Sequence, residues 1–155
     1  MAFGIGVFQF LHDCNIASLM RSAYCLDASF VFTIGRKYQR SAADTVNCTQ
    51  QIPYYHYLTF DEFLKNMPVG YQLVCVENPE NAKSLETFRH PRNAIYLLGS
   101  EGQGLPKYVL DRKYPVVKVN SKECLNVSTT GSIVMYDRQS KNIQMKLSRL
   151  KNGNY

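Results

Sequence analysis

The chain has 155 residues, 45% of them hydrophobic, and its 18 lysines and arginines against 12 acidic residues give a formal net charge of +6. This length suits one compact domain spanning 1–155, and the composition excludes both intrinsic disorder and a membrane-spanning protein. Five cysteines, with no C-x-x-C pair and no histidine grouped beside them, indicate neither a disulfide framework nor a zinc site, so we expect reduced, mostly buried thiols and no metal.

Short apolar runs alternate with helical stretches along the chain. The runs predict five buried strands, over residues 3–10, 29–34, 72–76, 94–98 and 116–119. The first run lacks the basic start and the cleavage site of a signal peptide, so we interpret it as the first strand of a cytoplasmic protein. With helices between the strands, the predicted fold class is α/β, with a mainly parallel sheet flanked by helices.

Three segments carry helix signals. Apolar side chains fall on one face of residues 15–26, and the Thr59–Glu62 capping box predicts a helix over 60–66. Residues 35–52 are polar and predict a surface loop. Residues 126–137 are rich in β-branched side chains but precede a lysine-spaced tail. We therefore predict one long helix over 126–149 rather than a strand, with small residues at 129–131 that allow close packing, and a frayed end at about 150–155.

A glycine-rich turn follows the fourth predicted strand, where Gly99 and Gly104 flank Glu101 and Pro106 stands at the predicted first position of a helix. Ligands of open α/β sheets bind beyond the carboxyl ends of the strands, which is where this turn lies. It lacks the dinucleotide and phosphate-loop fingerprints, so NAD and ATP are weakly supported. A tight turn without a ligand also fits, but a carboxylate between glycines favours a binding site.

Two other strand ends carry polar residues, with Asn15 and Arg21 after the first strand and Asn126 after the last. Each has a simple structural interpretation, as a helix cap for the two asparagines and a surface ion-pair partner for the arginine. Three polar loops at strand ends can also converge on one site.

The positive charge is concentrated in two places. One is the acid-free segment 138–155, and the other lies within the loop after the second strand. The candidate RNA contacts in these patches are Arg36, Lys37, Arg40, Lys141, Lys146 and Arg149. Two basic patches on a near-neutral body are typical of a protein that binds a polyanion such as RNA. A solvated helix that only aids solubility fits the charge equally well.

In chain order, these segments resemble the three signature motifs of the SpoU (TrmH-like) branch of the SPOUT RNA methyltransferases. The first motif, an Asn followed six residues later by an Arg, is matched by Asn15 and Arg21 in NIASLMR. The second, G-x-E-x-x-G-L after a strand, is matched from Gly99 in LLGSEGQGLP, and the third, S-L-N-V-S, is matched from Cys124 in CLNVS. The resemblance covers nearly the whole chain, whose length is similar to that of the minimal single-domain members.

The resemblance implies an S-adenosylmethionine-dependent enzyme that methylates a ribose 2′-hydroxyl of tRNA or rRNA. It also implies a homodimer with the active site at the subunit interface, and a C-terminal trefoil knot that forms the cofactor pocket. The cofactor-binding residues implied by the motifs are Val76, Gly99, Gly104, Val119, Cys124 and Leu125. The implied catalytic group is Asn15, Arg21, Glu101 and Asn126.

Three positions depart from the family pattern. Cys124 stands where the family usually has Ser, and a thiol is a weaker hydrogen-bond donor if the side chain contacts the cofactor. Asp27 replaces a Gly that often ends the first motif, and Asn120 replaces a Pro that often follows the last strand, so we expect local turn geometry to differ. No departure removes a residue with an implied chemical role.

Arg21 is expected to stabilise the developing alkoxide rather than to act as a general base, because a guanidinium is almost always protonated. Glu101 and Asn126 are expected to orient the hydroxyl and Arg21, and the proton would pass to Glu101 or to a nearby phosphate. Two rival interpretations stay open. One is a non-catalytic RNA-binding or regulatory protein with the same fold, and the other, less favoured, is a nucleotide- or NAD-binding enzyme.

Overall fold

Residues 1–40 and 47–151 are described by a computed structural model of the chain, in which strands alternate with helices. The elements are β1 (Phe3–Phe8), α1 (Asp13–Cys25), β2 (Phe30–Ile34), β3 (Tyr54–Tyr57), α2 (Phe60–Asn66), β4 (Gln72–Val76), β5 (Lys83–Ser84), β6 (Ala94–Leu98), α3 (Lys107–Leu110), β7 (Val116–Lys118) and α4 (Val127–Lys151). Single 3-10 turns lie at Cys48–Gln50 and Leu85–Thr87.

The strands form one parallel sheet in the order β3-β2-β1-β6-β4-β7-β5. The predicted α/β class with a parallel sheet is confirmed, and so are all five predicted strands, although the first ends at Phe8 and the fifth at Lys118. The two strands absent from the prediction, β3 and β5, are the edges of the sheet, where one side of the strand needs no partner and the apolar pattern is weak.

Helices cover both faces of the sheet. Alternate side chains of β6 show this arrangement, since Tyr96 and Leu98 join the core under α1 and α4, whereas Ile95 and Leu97 join the core under α2 and α3. Because both faces are covered, the central strands are apolar along their whole length. One of the two bonds of the predicted capping box is present, with the Glu62 amide donating to the Thr59 hydroxyl, whereas the Glu62 carboxylate accepts from the amide of Leu58 rather than from that of Thr59.

The α1 and α4 helices pack closely at Gly131, one of the three small residues predicted to permit it, whereas Thr129 is exposed. A β-carbon at Gly131 would lie 2.4 Å from Leu19 Cδ1 and 3.3 Å from Ile5 Cδ1, so a larger residue does not fit without movement. The hydroxyls of Ser22 and Ser132 are 2.8 Å apart across the same contact. Val127 and Val134 of the segment at 126–137 are buried in the core under α1, which accounts for a helix there despite the β-branched residues.

The end of α1 explains one departure from the family pattern. Asp27 has a φ of +60°, in the left-handed region that favours glycine. The Ala28 amide donates to the Ala23 carbonyl at 2.9 Å, and the Asp27 amide approaches the Tyr24 carbonyl at 3.4 Å, which is the Schellman pattern of a helix end. Asp27 thus preserves the turn that a glycine would make, with a less favourable residue.

A buried arginine ties α4 to the amino-terminal edge of the sheet. Arg138 is 1% exposed, and its guanidinium donates to the carbonyls of Pro91 and Arg92, both at 2.7 Å, and to the Tyr96 hydroxyl at 3.1 Å. This arginine therefore belongs to the core, although in the sequence it counts toward the basic tail. Beyond it, α4 continues to Lys151, later than predicted, and the rest of the predicted frayed end, 152–155, lies outside the described residues.

His90 extends this network to the α4 helix. The Tyr96 hydroxyl lies 2.6 Å from Nδ1 of His90, and Nε2 lies 2.8 Å from the Asp137 carboxylate. Burial lowers the pKa of His90, and the positive charges of Lys141 and Arg138 lower it further against the opposing effect of Asp137. A neutral ring protonated on Nε2 satisfies both contacts, because Nδ1 then accepts from the tyrosine.

The prediction of mostly buried thiols is wrong for the cysteines whose side chains are described. Cys75 is buried in the sheet, and burial raises its pKa to about 12. Cys14, Cys25 and Cys124 are exposed, the first two on α1 and the third before α4. The side chain of Cys48 lies outside the described part of the structure.

Candidate active site

The carboxyl ends of three central strands are level with one another. Leu98 at the end of β6 pairs with Val7 of β1 on one side and with Val76 of β4 on the other. The loops that follow these strands therefore meet at one edge of the sheet. A cleft of about 300 Å³ lies there, a size at the lower end for small-molecule sites.

The structure places all six residues implied to bind a cofactor on the wall of this cleft. They are Val76, Gly99, Gly104, Val119, Cys124 and Leu125. Val76 is almost fully buried, whereas Cys124 and Leu125 are exposed at the rim. The cleft thus combines apolar walls with a glycine-rich backbone and an open side.

The glycine turn, residues 99–105, folds back tightly on itself. The amide of Gly104 donates to the Ser100 carbonyl at 3.0 Å, and the Ser100 amide donates in return at 3.3 Å. A β-carbon at Gly99 would lie 2.3 to 2.5 Å from backbone atoms of Gly104 and Leu105, so only glycine fits there. Pro106 precedes α3 as its N-cap, one position before its predicted place.

Three of the four implied catalytic residues form one hydrogen-bonded chain. The Asn126 side-chain amide donates to Asn15 Oδ1 at 2.9 Å, and the Asn15 amide donates to Glu101 Oε1 at 2.5 Å. Asn126 Oδ1 accepts from the Ser128 amide at 2.9 Å, which fixes the orientation of the Asn126 side chain and hence that of Asn15. The donors all point toward Glu101, so the chain ends on a carboxylate.

Glu101 is held from two sides. Its Oε1 accepts from Asn15, and its Oε2 accepts from the Leu11 amide at 3.0 Å. Burial alone would raise the pKa of Glu101, but these hydrogen bonds outweigh burial and lower it. The carboxylate is therefore ionised at neutral pH, with lone pairs left for a further donor and little tendency to accept a proton.

Glu77 is a second carboxylate in the cleft that no sequence motif indicates. Its Oε2 accepts from the Leu105 amide at 2.7 Å, and a β-carbon at Gly104 would lie only 2.5 Å from that oxygen. Glu77 thus holds the end of the glycine turn at Leu105, whereas Glu101 lies nearer the start of the turn. Its position directly after a buried strand was the only available signal.

Arg21 lies outside this hydrogen-bonded chain. It is exposed on α1, six residues after Asn15, which places it about 9 Å further along the helix and about 240° around it. The two motif residues are therefore on different sides of α1. Asn15 thus belongs to the hydrogen-bonded chain at the cleft, whereas Arg21 lies on the exposed surface of α1.

The predicted RNA contacts differ in their surroundings. Lys37, Arg40 and Lys146 are exposed, whereas the Arg36 guanidinium donates to the Leu11 carbonyl and to the Asp13 carboxylate. The side chain of Arg149 lies outside the described part of the structure.

Lys141 conflicts with its predicted role as an RNA contact. Its ammonium donates to Asp137 at 2.6 Å, to the Leu85 carbonyl at 2.5 Å and to the Phe88 carbonyl at 3.2 Å. These three oxygens already use the donors of the ammonium group, so Lys141 anchors α4 to the body.

The departure from the family pattern at Asn120 has a local replacement. The Asn120 side chain donates to the Ser84 hydroxyl at 3.0 Å and to the Glu86 carboxylate at 3.1 Å, so a hydrogen-bonding side chain holds the end of β7 where the family often has proline.

Among residues 1–40 and 47–151, no group of His, Cys, Asp and Glu is placed to hold a metal. In the same residues, no helix is long and apolar enough to cross a membrane.

A family model matches most of the chain. The model is described as the SpoU rRNA Methylase family, and it covers residues 3–136. No curated protein matches the chain significantly in sequence. The match includes every element from β1 to the middle of α4, and with it the whole cleft.

Several solved structures share the fold. One, from work on the 2-OH methylation of C/U34 on tRNA, is 19% identical, has a TM-score of 0.78 and covers 91% of this chain and 97% of its own. The SpoU methyltransferase AviRb from Streptomyces viridochromogenes, in complex with AdoMet, is 18% identical with a TM-score of 0.76, over 92% of this chain and 58% of that one. The TrmH/SpoU tRNA modifying enzyme of A. aeolicus is 14% identical with a TM-score of 0.79, over 99% and 78%. At these identities the likeness concerns the fold alone.

Proposed function

Because the chain belongs to the SpoU rRNA methylase family, we propose that it transfers a methyl group from S-adenosylmethionine to a ribose 2′-hydroxyl of tRNA or rRNA in the cytoplasm. The observation that carries this proposal is the hydrogen-bonded chain from Asn126 through Asn15 to Glu101, which ends beside the cleft. A packing role alone does not account for an ionised carboxylate held at the rim of a cleft by two directed donors. The proposal also includes a trefoil knot in the C-terminal part of the chain, as the family resemblance implies.

The residues of the cleft fit the cofactor. Apolar walls at Val76 and Leu98 suit a purine ring, and the backbone of the glycine turn offers amides and carbonyls at close range. The carboxylates of Glu77 and Glu101 complement a ligand that carries positive charge. When bound, S-adenosylmethionine supplies a methyl group on a sulfonium, which is a strong methyl donor.

Glu101 and Asn126 would orient the reacting hydroxyl. The lone pairs of Glu101 that are not used by Asn15 and Leu11 can accept a hydrogen bond from a ribose hydroxyl and align it for in-line attack. Its lowered pKa makes it a weak base, so a phosphate of the RNA or solvent is the better proton acceptor. Of the two proton acceptors expected from the sequence, Glu101 and a nearby phosphate, the lowered pKa of Glu101 favours the phosphate.

Arg21 would stabilise the alkoxide as it develops, through a fork of N–H donors that stays charged. Its outward position on α1 suits a site completed by a second copy of the chain, as in a homodimer with the active site at the subunit interface. The exposed basic residues Lys37, Arg40 and Lys146 would bind RNA phosphates, a sequence-independent contribution to affinity.

Binding measurements separate this proposal from its rivals. Titration calorimetry with S-adenosylmethionine and with NAD is expected to show binding of the first only, and filter binding is expected to show affinity for RNA. Affinity for RNA with no affinity for S-adenosylmethionine would favour the non-catalytic RNA-binding protein. Binding of NAD alone would favour the nucleotide-binding enzyme.

A further inference from the structure

We propose that Arg36 is a positioning residue for the Asn15–Glu101 pair, and that its guanidinium serves the active site rather than an RNA phosphate. The kinetic consequences of this inference rest on the proposed function. The contacts from which it is drawn do not, because they lie entirely within the chain.

Arg36 fastens the loop after β2 to the loop after β1. Its guanidinium lies over the Phe10 ring, 4.7 Å from the ring centroid, and donates to the Leu11 carbonyl and to Oδ2 of Asp13. The other oxygen of Asp13 accepts from the Gln39 amide at 2.9 Å. The basic loop, residues 35–40, is thereby held against the start of α1 at both of its ends.

One route from Arg36 to the active site runs through Leu11. Both backbone groups of Leu11 are engaged, since its carbonyl accepts from Arg36 and its amide donates to Glu101 Oε2 at 3.0 Å. The position of the amide donor on Glu101 therefore depends on where Arg36 holds this residue. Leu11 lies in the loop after β1, between Arg36 and Glu101. Within residues 1–40 and 47–151, these are the two side chains that hydrogen-bond to its backbone.

A second route runs through Asp13, the first residue of α1. The N-cap residue, His12, makes no side-chain hydrogen bond to the helix, so the usual capping interaction is missing. Contacts of Asp13 with Arg36 and Gln39 tie this helix end to the basic loop instead. Asn15, two residues further on, must be placed closely, because its amide is 2.5 Å from Glu101 Oε1.

A phosphate contact through Arg36 would compete with both routes. The two terminal nitrogens of the guanidinium each donate one N–H, to the Leu11 carbonyl and to Asp13, so a phosphate bound across the edge formed by these two nitrogens would compete with both acceptors. Lys37 and Arg40 flank it in the same loop and are exposed. Within this loop, Lys37 and Arg40 are therefore available to bind RNA, whereas Arg36 contacts Leu11 and Asp13.

Arg112 provides a matched control. It donates to the Asp61 carboxylate at 3.0 Å, lies over the Phe60 ring at 5.6 Å, and its side chain is 45% exposed, against 43% for Arg36. It thus makes an ion pair and a ring contact like those of Arg36 at similar exposure, but to α2 rather than to the loops that hold Glu101, and without the contact to Leu11. Any general cost of losing a paired surface arginine appears in both variants.

Steady-state kinetics on RNA separates the two tasks. For Arg36→Gln we expect kcat to fall by roughly 10-fold or more, because small misplacements of catalytic groups are costly, with KM for RNA within about 2-fold of wild type. Arg36→Lys, which can reach one acceptor but not both, should be intermediate, and Arg112→Gln should match wild type. For Lys37→Gln we expect a raised KM for RNA with kcat unchanged, and a weaker salt dependence of RNA binding. An Arg36→Gln enzyme with unchanged kcat and a raised KM would overturn the inference.

A titration of Glu101 by carboxyl NMR tests the positioning without any substrate. The resonance is assigned by its loss in Glu101→Gln. We expect the pKa of Glu101 to rise in Arg36→Gln, because the Leu11 donor is no longer held, and to stay unchanged in Arg112→Gln. An unchanged pKa in Arg36→Gln would contradict the inference. If the wild-type protein methylates no RNA, the proposed function fails, but this titration still decides whether Arg36 positions Glu101.

Discussion

Gly99 is the position where the shape of the cleft is most sensitive to a single methyl group. A β-carbon there would lie 2.3 Å from the Gly104 carbonyl carbon and 2.5 Å from Leu105 N, against at least 3.4 Å for ordinary contact. The obstructing atoms are backbone, so the turn itself has to move by about 1 Å. The glycine turn would then lose the paired bonds between Ser100 and Gly104 and the bond from Leu105 to Glu77.

These three hydrogen bonds contribute about 1 kcal/mol each, so Gly99→Ala should open the turn at a cost of about 2–3 kcal/mol. Because the turn lines the cleft, we expect S-adenosylmethionine to bind roughly 30- to 150-fold more weakly, as measured by calorimetry. Gly102→Ala is the control, since its β-carbon meets only Leu11 Cδ1 at 3.6 Å, and it should bind within about 3-fold of wild type. Equal affinity of the Gly99→Ala and wild-type proteins would refute the reasoning.

Three further predictions concern stability, measured by urea unfolding. Arg138→Met should destabilise the protein by about 2–5 kcal/mol, because it leaves two buried carbonyls without a donor at about 1–3 kcal/mol each, and a loss below about 1 kcal/mol would show that water replaces the guanidinium. Burial lowers the pKa of His90 below its unfolded value of about 6.5. The contribution of His90 to the free energy of unfolding is therefore fully present above about pH 6.5, and it should be lost as the pH falls through the folded-state pKa. His90→Gln should weaken this pH dependence of stability. Asp27→Gly should stabilise the protein by up to about 1 kcal/mol by relieving the left-handed backbone, and a decrease would mean that the Asp27 side chain matters more than its φ.

Local sequence signals predicted most of the fold. The apolar runs marked the five inner strands, and the Thr59–Glu62 capping box marked α2 at its observed residues. The edge strands were missed because an edge strand such as Tyr54–Tyr57 is only partly buried and has no aliphatic run. The long α4 helix was predictable only by weighing the lysine-spaced tail against β-branched residues, whose strand preference is overcome by burial against α1.

The motifs of the candidate site were predictable, but their connections were not. The resemblance to the family motifs indicated Asn15, Glu101 and Asn126, yet only the folded chain shows that the side-chain amides of the two asparagines form a directed path to the Glu101 carboxylate. Glu77 follows no motif, because its role depends on a turn 28 residues away. A sequence also records charge without burial, so Lys141 was counted among the RNA contacts although three oxygens of the body already surround its ammonium.

The central claim, methyl transfer to a ribose hydroxyl, is tested most directly by following the methyl group. Unmodified tRNA and rRNA transcripts would be incubated with the purified protein and S-adenosylmethionine carrying a deuterated methyl group, then digested to nucleosides for mass spectrometry. The account predicts the label on the ribose fragment of a 2′-O-methylated nucleoside, and its loss in the Glu101→Gln variant. Label on a base, or no label in any RNA, would contradict it.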